Sequence, residues 1–506
     1  GTRVKVSFGR RQGLGCVTAL AESSTHDSLK PILKVIGAQS LVTPRVLELA
    51  RWMAEYYCCA PETALKSVLP DAVRKEQEGW RERLFVRLVP ANGEPPKLTK
   101  RQTEVYQVIE ENRSIAMQEL LRLTGTTAQT VRRLEDNGLV EVASQISERD
   151  PYGKEYILPS QPLELNAEQA AALQEVVGAM ERLAKPAEGE TKPKANGLFL
   201  LHGVTGSGKT EVYLQAIARA LEKGKGAIVL VPEISLTPQT VERFKARFSS
   251  GPLQTLVAVL HSHLSVGERH DEWHKIRQGR AKIVIGARSA IFAPVEPLGL
   301  IIVDEEHDPS YKHQDGFRYN AWDIAVKRAQ QEQIPVLLGS ATPALETVEN
   351  TRGGRYRLLT LKERAGHSGM PRVHLVDLKS VPVHNGLTAP VVKALAGRLE
   401  RGEQSIVYVN RRGYAPVVLC ADCGWQGKCR RCDASLTLHQ GSGLLRCHHC
   451  GASRNAPLSC PACGQQGLYH VGAGTQRVEG ELRRLFPAAR VLRLDCDSTA
   501  GKGRLE

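Results

Sequence analysis

Alternating apolar and polar positions open the chain. Val4, Val6 and Phe8, then Leu14, Cys16 and Val17, flank the turn-rich Gly9–Gly13, a pattern that predicts two short strands of a small sheet. Helical spacing follows: Leu47, Leu49, Ala50, Trp52, Met53, Tyr56 and Tyr57 share one helix, which ends before Pro61. Pro90–Pro96 reads as a linker. Between Leu98 and Val142 the pattern predicts helices over Thr99–Asn112, Met117–Thr124 and Ala128–Asn137, a turn at Gly125–Thr126, and a strand over Leu139–Val142.

A second linker spans Arg149–Pro162, and Pro186–Lys194 is a polar loop inside the following unit. Continuous apolar runs then alternate with helices: Leu198–Leu201, Ala227–Val231, Leu256–Leu260, Ile283–Ile285, Leu300–Val303 and Val336–Leu338. Strands that are apolar on both faces imply a parallel α/β sheet covered by helices on each side. No solenoid repeat is visible. The order helix, helix, turn, helix, strand in 97–146 is that of a winged helix, whose third helix would offer Arg132 and Arg133 to a DNA groove. A helical spacer or a protein-contact surface would have the same pattern.

The expected division is 1–96 (a β-rich N-terminal domain), 97–146 (winged helix), 160–370 (a parallel-sheet lobe) and 371–506 (part of a second lobe, with an insertion at 418–466). The fold class is multidomain α/β.

Composition narrows the partners. Of the 506 residues, 42% are hydrophobic and 24% charged, ordinary globular values. The longest strongly apolar runs, such as Leu298–Val303, fall far short of the roughly 20 residues that cross a bilayer. Gly1–Val6 shows no export signal. A formal charge of +14 favours a polyanion through phosphate neutralisation, the alternative being a basic but inert surface.

The strand Leu198–Leu201 runs into Gly203-Val204-Thr205-Gly206-Ser207-Gly208-Lys209-Thr210 and then a helix, the context a phosphate loop requires. Backbone N–H groups of Gly203, Thr205, Gly206, Ser207 and Gly208 would surround the phosphates, Lys209 would reach the β- and γ-phosphates, and Thr210 would offer its hydroxyl to magnesium. ATP or GTP with Mg2+ is the implied ligand. After Leu300–Val303, Asp304 is placed to hold hydrated magnesium and Glu305 to orient or deprotonate the attacking water. Standing alone that acidic run would read as a solvated turn; its place downstream of the phosphate loop favours catalysis. Gly339–Pro343, after the next strand, could sense the γ-phosphate.

Eight of the twelve cysteines form four Cys-x-x-Cys pairs between Cys420 and Cys463, which points to metal in a reducing compartment rather than to disulfides. Eight thiolates suit two closed tetrahedral zinc sites, structural because sulfur fills every position. The turn Gly441–Gly443 between leucines predicts a hairpin that brings Cys429 and Cys432 to Cys447 and Cys450, leaving Cys420 and Cys423 to share the other ion with Cys460 and Cys463. Joining the first pair to the second is tight but open, and His448 and His449 are substitute ligands. Arg411, Arg412, Lys428, Arg430, Arg431, Arg446 and Arg454 outnumber Asp422 and Asp433, so this module is expected to meet nucleic acid or an acidic partner.

Gly203–Thr210, Asp304–His307 and Gly339–Pro343 resemble motifs I, II and III of superfamily 2 helicases. Leu165–Gln169 resembles their upstream glutamine motif, which implies that Gln169 reads adenine. Val231–Gln239 resembles motif Ia in the form used by the PriA family of replication-restart helicases. Ile285–Pro294 resembles motif Ib, with Ala287 in place of the usual threonine, and implies strand contact by Arg288. Asp308–Arg318 resembles the aromatic-rich loop of that family, which implies single-strand contact by Tyr311, Lys312, Phe317 and Arg318, joined by Tyr319; a loop packed back onto its lobe is the alternative. Val407–Pro416 resembles motif IV and Gly472–Val478 the return to the second lobe, with the two-zinc insertion between.

The resemblance to the PriA family covers essentially the whole chain. It implies a RecA-like ATP-binding lobe and an ATP-dependent 3′-to-5′ DNA helicase that recognises stalled forks and initiates primosome assembly. Its implied partners are forks, single-stranded DNA, single-strand-binding protein and loaders of the replicative helicase, met by a monomer in the bacterial cytoplasm at the nucleoid. Family strands expected before Gly1, and motifs V and VI with their γ-phosphate arginine expected after Glu506, are missing from this sequence, so weak turnover is expected of this chain alone. A fork-binding scaffold that works without ATP and a different superfamily 2 translocase are the alternatives.

Overall fold

The computed structural model describes residues 1–9, 11–26, 28–37, 40–69, 82–89, 98–146, 149, 157–184, 197–233, 236, 238–248, 253–364, 371–378, 380–409, 417–420, 422–432, 434–439, 443–466, 468–471 and 474–494. They form two compact units, 1–369 and 370–506.

In the first unit, β1 (Arg3–Phe8) pairs antiparallel with β2 (Arg11–Cys16) and with β3 (Lys34–Ile36), a strand the alternation had not revealed. Helix α1 (Pro44–Tyr56) starts at Thr43, whose hydroxyl accepts from Val46 N, and α2 (Pro61–Val68) follows with proline in its first turn. The apolar stripe of α1, with Leu49 and Met53 fully buried, packs into the same core as Trp273, Tyr311 and Ile324 of the sheet lobe. Trp273 donates its indole N–H to Leu41 O at 3.1 Å, and Arg277 donates Nε to Ser40 O at 2.6 Å. Residues 41–69 are therefore built into the lobe.

The helical unit contains β4 (Glu82–Leu88), α3 (Lys100–Asn112), β5 (Ser114–Ala116), α4 (Met117–Thr124), α5 (Ala128–Asp136) and β6 (Val140–Ile146). A capping box between Thr99 and Gln102 begins α3. Strand β4 pairs with β5 and β6, so the sheet takes its central strand from before the proline-rich 90–96 segment. Neither β4 nor β5 was legible in the sequence. Three helices over a three-stranded sheet close around Val105, Ile109, Leu120, Val131 and Leu134, the winged-helix arrangement.

The lobe follows α6 (Ala167–Ala184). Its seven strands, β7 (Leu198–Gly203), β8 (Gly226–Leu230), β9 (Leu256–Leu260), β10 (Ala281–Gly286), β11 (Leu298–Asp304), β12 (Val336–Ser340) and β13 (Arg357–Leu361), lie in the order β13-β7-β12-β11-β8-β10-β9, with every pair parallel. Helices α7 (Lys209–Glu222), α8 (Pro238–Phe248), α9 (Val266–Arg277), α10 (Ala321–Glu332) and α11 (Leu345–Arg352) connect them. Alternate residues of β7 divide between the two cores: Phe199 and Leu201 join Val176 and Ile217, while Leu200 joins Ile228 and Ile301. All six apolar runs are strands, as expected; the half-exposed edge strand β13 lacked that signal.

In the second unit, β14 (Val383–His384) pairs with β15 (Leu387–Thr388) and leads into α12 (Ala389–Glu400). Next come β16 (Val417–Cys420), the three-stranded ribbon β17 (Thr437–His439), β18 (Leu444–Arg446) and β19 (Ser453–Asn455), then β20 (Leu468–Val471), which pairs with β16, and α13 (Thr475–Leu485). Arg411 to Pro416 of the motif IV stretch, parts of motif Ia, Gly472, Ala473 and the linker segments 90–96, 150–156 and 186–194 lie outside the described residues.

Candidate nucleotide cleft, DNA-facing loop and zinc centres

The chain turns from β7 into α7 through two left-handed glycines, Gly206 at φ +82° and Gly208 at φ +80°, which L-residues with a Cβ adopt at a cost. The loop borders a cleft of about 780 Å³ that also holds Lys209, Thr210, Asp304 and Glu305, with Arg243 and Arg247 of α8 on its wall. Lys209 is almost buried; its ammonium donates to Gly203 O at 3.0 Å and lies 3.8 Å from Glu305. The ends of β7 and β11 thus bring together the loop, lysine and paired carboxylates expected from sequence.

Asp304 ends β11. Burial and the neighbouring Glu305 charge raise its carboxyl above the usual range, against a hydrogen bond from Tyr213 Oη to Oδ1 at 2.9 Å. The Tyr213 phenol, fully buried beside these carboxylates, is raised well above its ordinary value and stays a donor. Neighbouring carboxylates, one buried and one a third exposed to the cleft, with the Thr210 hydroxyl on the first turn of α7, are the hard oxygen donors Mg2+ accepts, so these residues fit the ion. Glu305 has φ +46°, a conformation rare outside glycine and asparagine.

The next two residues connect β11 to β12. Glu306, 1% exposed, accepts from Ala344 N at 2.7 Å and Thr347 Oγ1 at 3.1 Å, with its carboxyl raised by burial. His307 Nδ1 lies 2.7 Å from Ser340 Oγ, and Ser340 Oγ accepts from Thr342 N at 3.0 Å. Residues 304–307 and 339–343 are thereby one hydrogen-bonded assembly.

Gln169 is buried against the phosphate loop, and its amide is already engaged. Oε1 accepts from Asn166 N at 3.0 Å, and Nε2 donates to Ser207 O at 2.8 Å. In this conformation it braces the phosphate loop rather than presenting a free edge to a base. Ser207 Oγ is buried without a partner. Sequence reasoning also missed Glu211 and Arg247, which meet in a bidentate pair with both contacts at 2.9 Å; Glu211 further accepts from Leu163 N and Gln215 Nε2. Their i, i+36 separation carries no local signal. Tyr213 could have been noticed as a lone phenol four residues after Lys209 on a buried helix face.

The aromatic-rich loop departs from expectation. Tyr311 is 1% exposed, and its hydroxyl donates to Asp304 O at 2.6 Å; Tyr319 is 6% exposed. Both rings belong to the lobe's core and do not offer a stacking face; Tyr319 packs against Phe292 and Phe317, and Phe317 against Tyr57. Phe317 is half-buried, whereas Lys312 and Arg318 are exposed. Arg288 Nη1 donates to Ser310 O at 3.2 Å and Lys312 O at 3.4 Å, tying the motif Ib stretch to the loop. Arg132 and Arg133 lie on the exposed face of α5, with Arg132 2.6 Å from Glu135.

The cysteines gather as two groups of four: Cys420, Cys423, Cys460 and Cys463, and Cys429, Cys432, Cys447 and Cys450. The β17–β18 hairpin supplies the second group, as its spacing predicted. Cross-pair Sγ···Sγ distances are 3.4–3.6 Å, far beyond the roughly 2.05 Å of a disulfide and near the edge of a tetrahedron built on Zn–S bonds of about 2.3 Å. His448 is not a member of either group; its Nε2 lies 3.0 Å from His439 Nε2. Arg454 stands over the Trp425 ring at 5.9 Å. The donor set fits two structural zinc ions.

Comparison with known proteins follows the same division. The DEAD/DEAH box helicase family model matches residues 169–351, the 3′DNA-binding domain (3′BD) model residues 1–70, and the PriA DNA helicase Cys-rich region domain model residues 429–454. Replication restart protein PriA of Bacillus subtilis is 38% identical over all of this chain and 70% of its own length. The protein of that name from Haemophilus influenzae is 39% identical over all of this chain and 68% of its own length. RecG bound to a three-way DNA junction aligns with 48% of this chain and 29% of that one, at TM-score 0.32 and 23% identity, a likeness that adds nothing to the assignment. With a DNA-binding N-terminal module, a helicase lobe and a cysteine-rich zinc module in one order, and with this chain matched over its whole length by its relatives, the chain belongs to the PriA family of replication restart helicases.

Proposed function

We propose that this chain is the ATP-binding and fork-engaging part of a 3′-to-5′ DNA helicase that recognises stalled forks and starts primosome assembly. The observation that carries the reading is the meeting of Lys209, Asp304 and Glu305 in one cleft, with Tyr311 of the aromatic-rich loop bonded to the Asp304 carbonyl. Lys209 and the loop amides hold the phosphates, Asp304 and Thr210 hold Mg2+, and Glu305 orients the attacking water. When bound, the ion supplies charge neutralisation for the transferring phosphoryl group. The working domains are 1–69, 82–146, 160–370 and 371–506, the last with its zinc insertion at 418–466; the boundary expected at residue 96 moves to before Glu82, because β4 is the central strand of the winged-helix sheet. Lys312, Phe317, Arg318 and Arg288 track single-stranded DNA, with Arg132 and Arg133 offered to a DNA groove by the third helix of the winged helix. Its relatives are named replication restart proteins, which supports a role in restart; the same reading takes single-strand-binding protein and replicative-helicase loaders as partners, met in the cytoplasm.

Fork-stimulated ATP hydrolysis by the full-length protein tests the reading. Lys209→Ala is expected to lower it by at least about 100-fold, on the scale of losing a transition-state charge contact, while fork binding persists. Hydrolysis unchanged by that substitution, or restart assembly that proceeds without ATP or unwinding, would favour a scaffold instead.

A further inference from the structure

Asp304 is held from a direction that its role in nucleotide chemistry does not account for. Tyr213 lies on α7 and is 1% exposed. Its hydroxyl donates to Asp304 Oδ1 at 2.9 Å across the interior of the lobe, the phosphate-loop helix thus reaching the last residue of β11. A carboxylate anchored at one oxygen cannot rotate about its last torsion, so the direction of the other oxygen is set before any ligand arrives.

The neighbouring strand makes room for this contact. In the register of β11 against β12, Asp304 stands opposite Gly339. A Cβ built on Gly339 would lie 1.7 Å from Tyr213 Oη and 2.8 Å from its Cζ, so any side chain there would drive the phenol off the carboxylate. A residue whose missing side chain is the volume occupied by a hydroxyl, beside a fully buried tyrosine, is a packed arrangement with a single outcome. Phenylalanine would fill the same space without the hydrogen bond.

We propose that Tyr213 is a positioning residue for the divalent cation, fixing the Asp304 carboxylate from behind, with Gly339 as the space that permits it. The proposal rests on the cleft binding magnesium–nucleotide, and the test separates the two. Binding of a non-hydrolysable ATP analogue to the zinc-loaded chain is measured by calorimetry in Mg2+ and again in EDTA at a concentration that leaves the zinc in place, checked by metal analysis. The ratio of the two dissociation constants reports the metal-dependent gain, a quantity that a general loss of folding does not move selectively. Tyr213→Phe is expected to reduce that ratio about 10-fold, the size of one lost hydrogen bond to a charged group, and to leave binding in EDTA unchanged. Gly339→Ala is expected to reduce it similarly, and the double variant by less than the product of the single effects, because both act through one contact. An unaltered ratio in Tyr213→Phe, or effects in the double variant that multiply, would overturn the positioning role. Wild-type protein that binds no nucleotide in either condition would instead overturn the reading of the cleft.

Discussion

Glu211→Ala is the most demanding test of how the nucleotide cleft is held open. Glu211 and Arg247 are 9% and 8% exposed, and the carboxylate receives both guanidinium contacts at 2.9 Å, the Leu163 amide at 3.1 Å and the Gln215 amide at 2.9 Å. Removing the carboxylate strands a nearly buried guanidinium, an event that costs roughly 3–5 kcal/mol in proteins; with the pair at the rim of the cleft the lower end, about 3 kcal/mol, applies. Equilibrium urea unfolding followed by fluorescence and circular dichroism measures it. The stranded charge, rather than the lost attraction, is the larger part, so Glu211→Leu combined with Arg247→Met should recover most of the loss. A single-variant cost below about 1 kcal/mol, or a double variant no more stable than Glu211→Ala, would refute the reasoning.

The same carboxylate sets a pH dependence. Burial pushes its pKa up, but the Arg247, Gln215 and Leu163 hydrogen bonds outweigh that and hold it below the ordinary 4.5; the stabilisation is complete above 4.5 and lost as pH falls through the lower folded value, so the stability gap between wild type and Glu211→Gln should close on acidification. Cys447→Ser should lower bound zinc from two ions per chain to one by atomic absorption, since Cys420, Cys423, Cys460 and Cys463 share no ligand with the other group; loss of both ions would contradict two independent centres. Tyr311→Phe removes the donor to Asp304 O and should destabilise the lobe by about 1 kcal/mol while lowering the ratio of DNA-stimulated to basal hydrolysis in the full-length protein; an unchanged ratio would detach the loop from the cleft.

What could be read before folding follows from where the information lies. The phosphate loop, Asp304 and Glu305 were legible because the chemistry sits in contiguous residues at the ends of strongly apolar strands, and the zinc groups because hairpin spacing favours the pairing that the two cysteine clusters show, over the alternatives left open. The Glu211–Arg247 pair and Tyr213–Asp304 were not, since 36 and 91 residues separate partners that only the sheet order brings together. Tyr311 and Tyr319 were misplaced for a related reason: aromatic residues interleaved with cations look alike whether the rings face a nucleic base or a protein core, and the deciding surroundings, the Asp304 carbonyl for Tyr311 and Phe292 for Tyr319, lie elsewhere in the lobe. Strand β4 was hidden because its apolar run, Leu84–Val86, is short and flanked by Arg83 and Arg87, and its pairing lies beyond a proline-rich stretch.

The seating of α1 against the sheet lobe has a mechanical consequence. Because Leu49, Met53 and the Trp273–Leu41 and Arg277–Ser40 bonds belong to one continuous interior, the part of the 3′DNA-binding module around 41–69 has no hinge of its own. A nucleic acid end gripped by that module would travel with the phosphate loop as freight bolted to the chassis. Cutting the chain at residue 70 to obtain the module alone would expose the inner face of α1 and yield a sticky fragment instead of a free-standing domain.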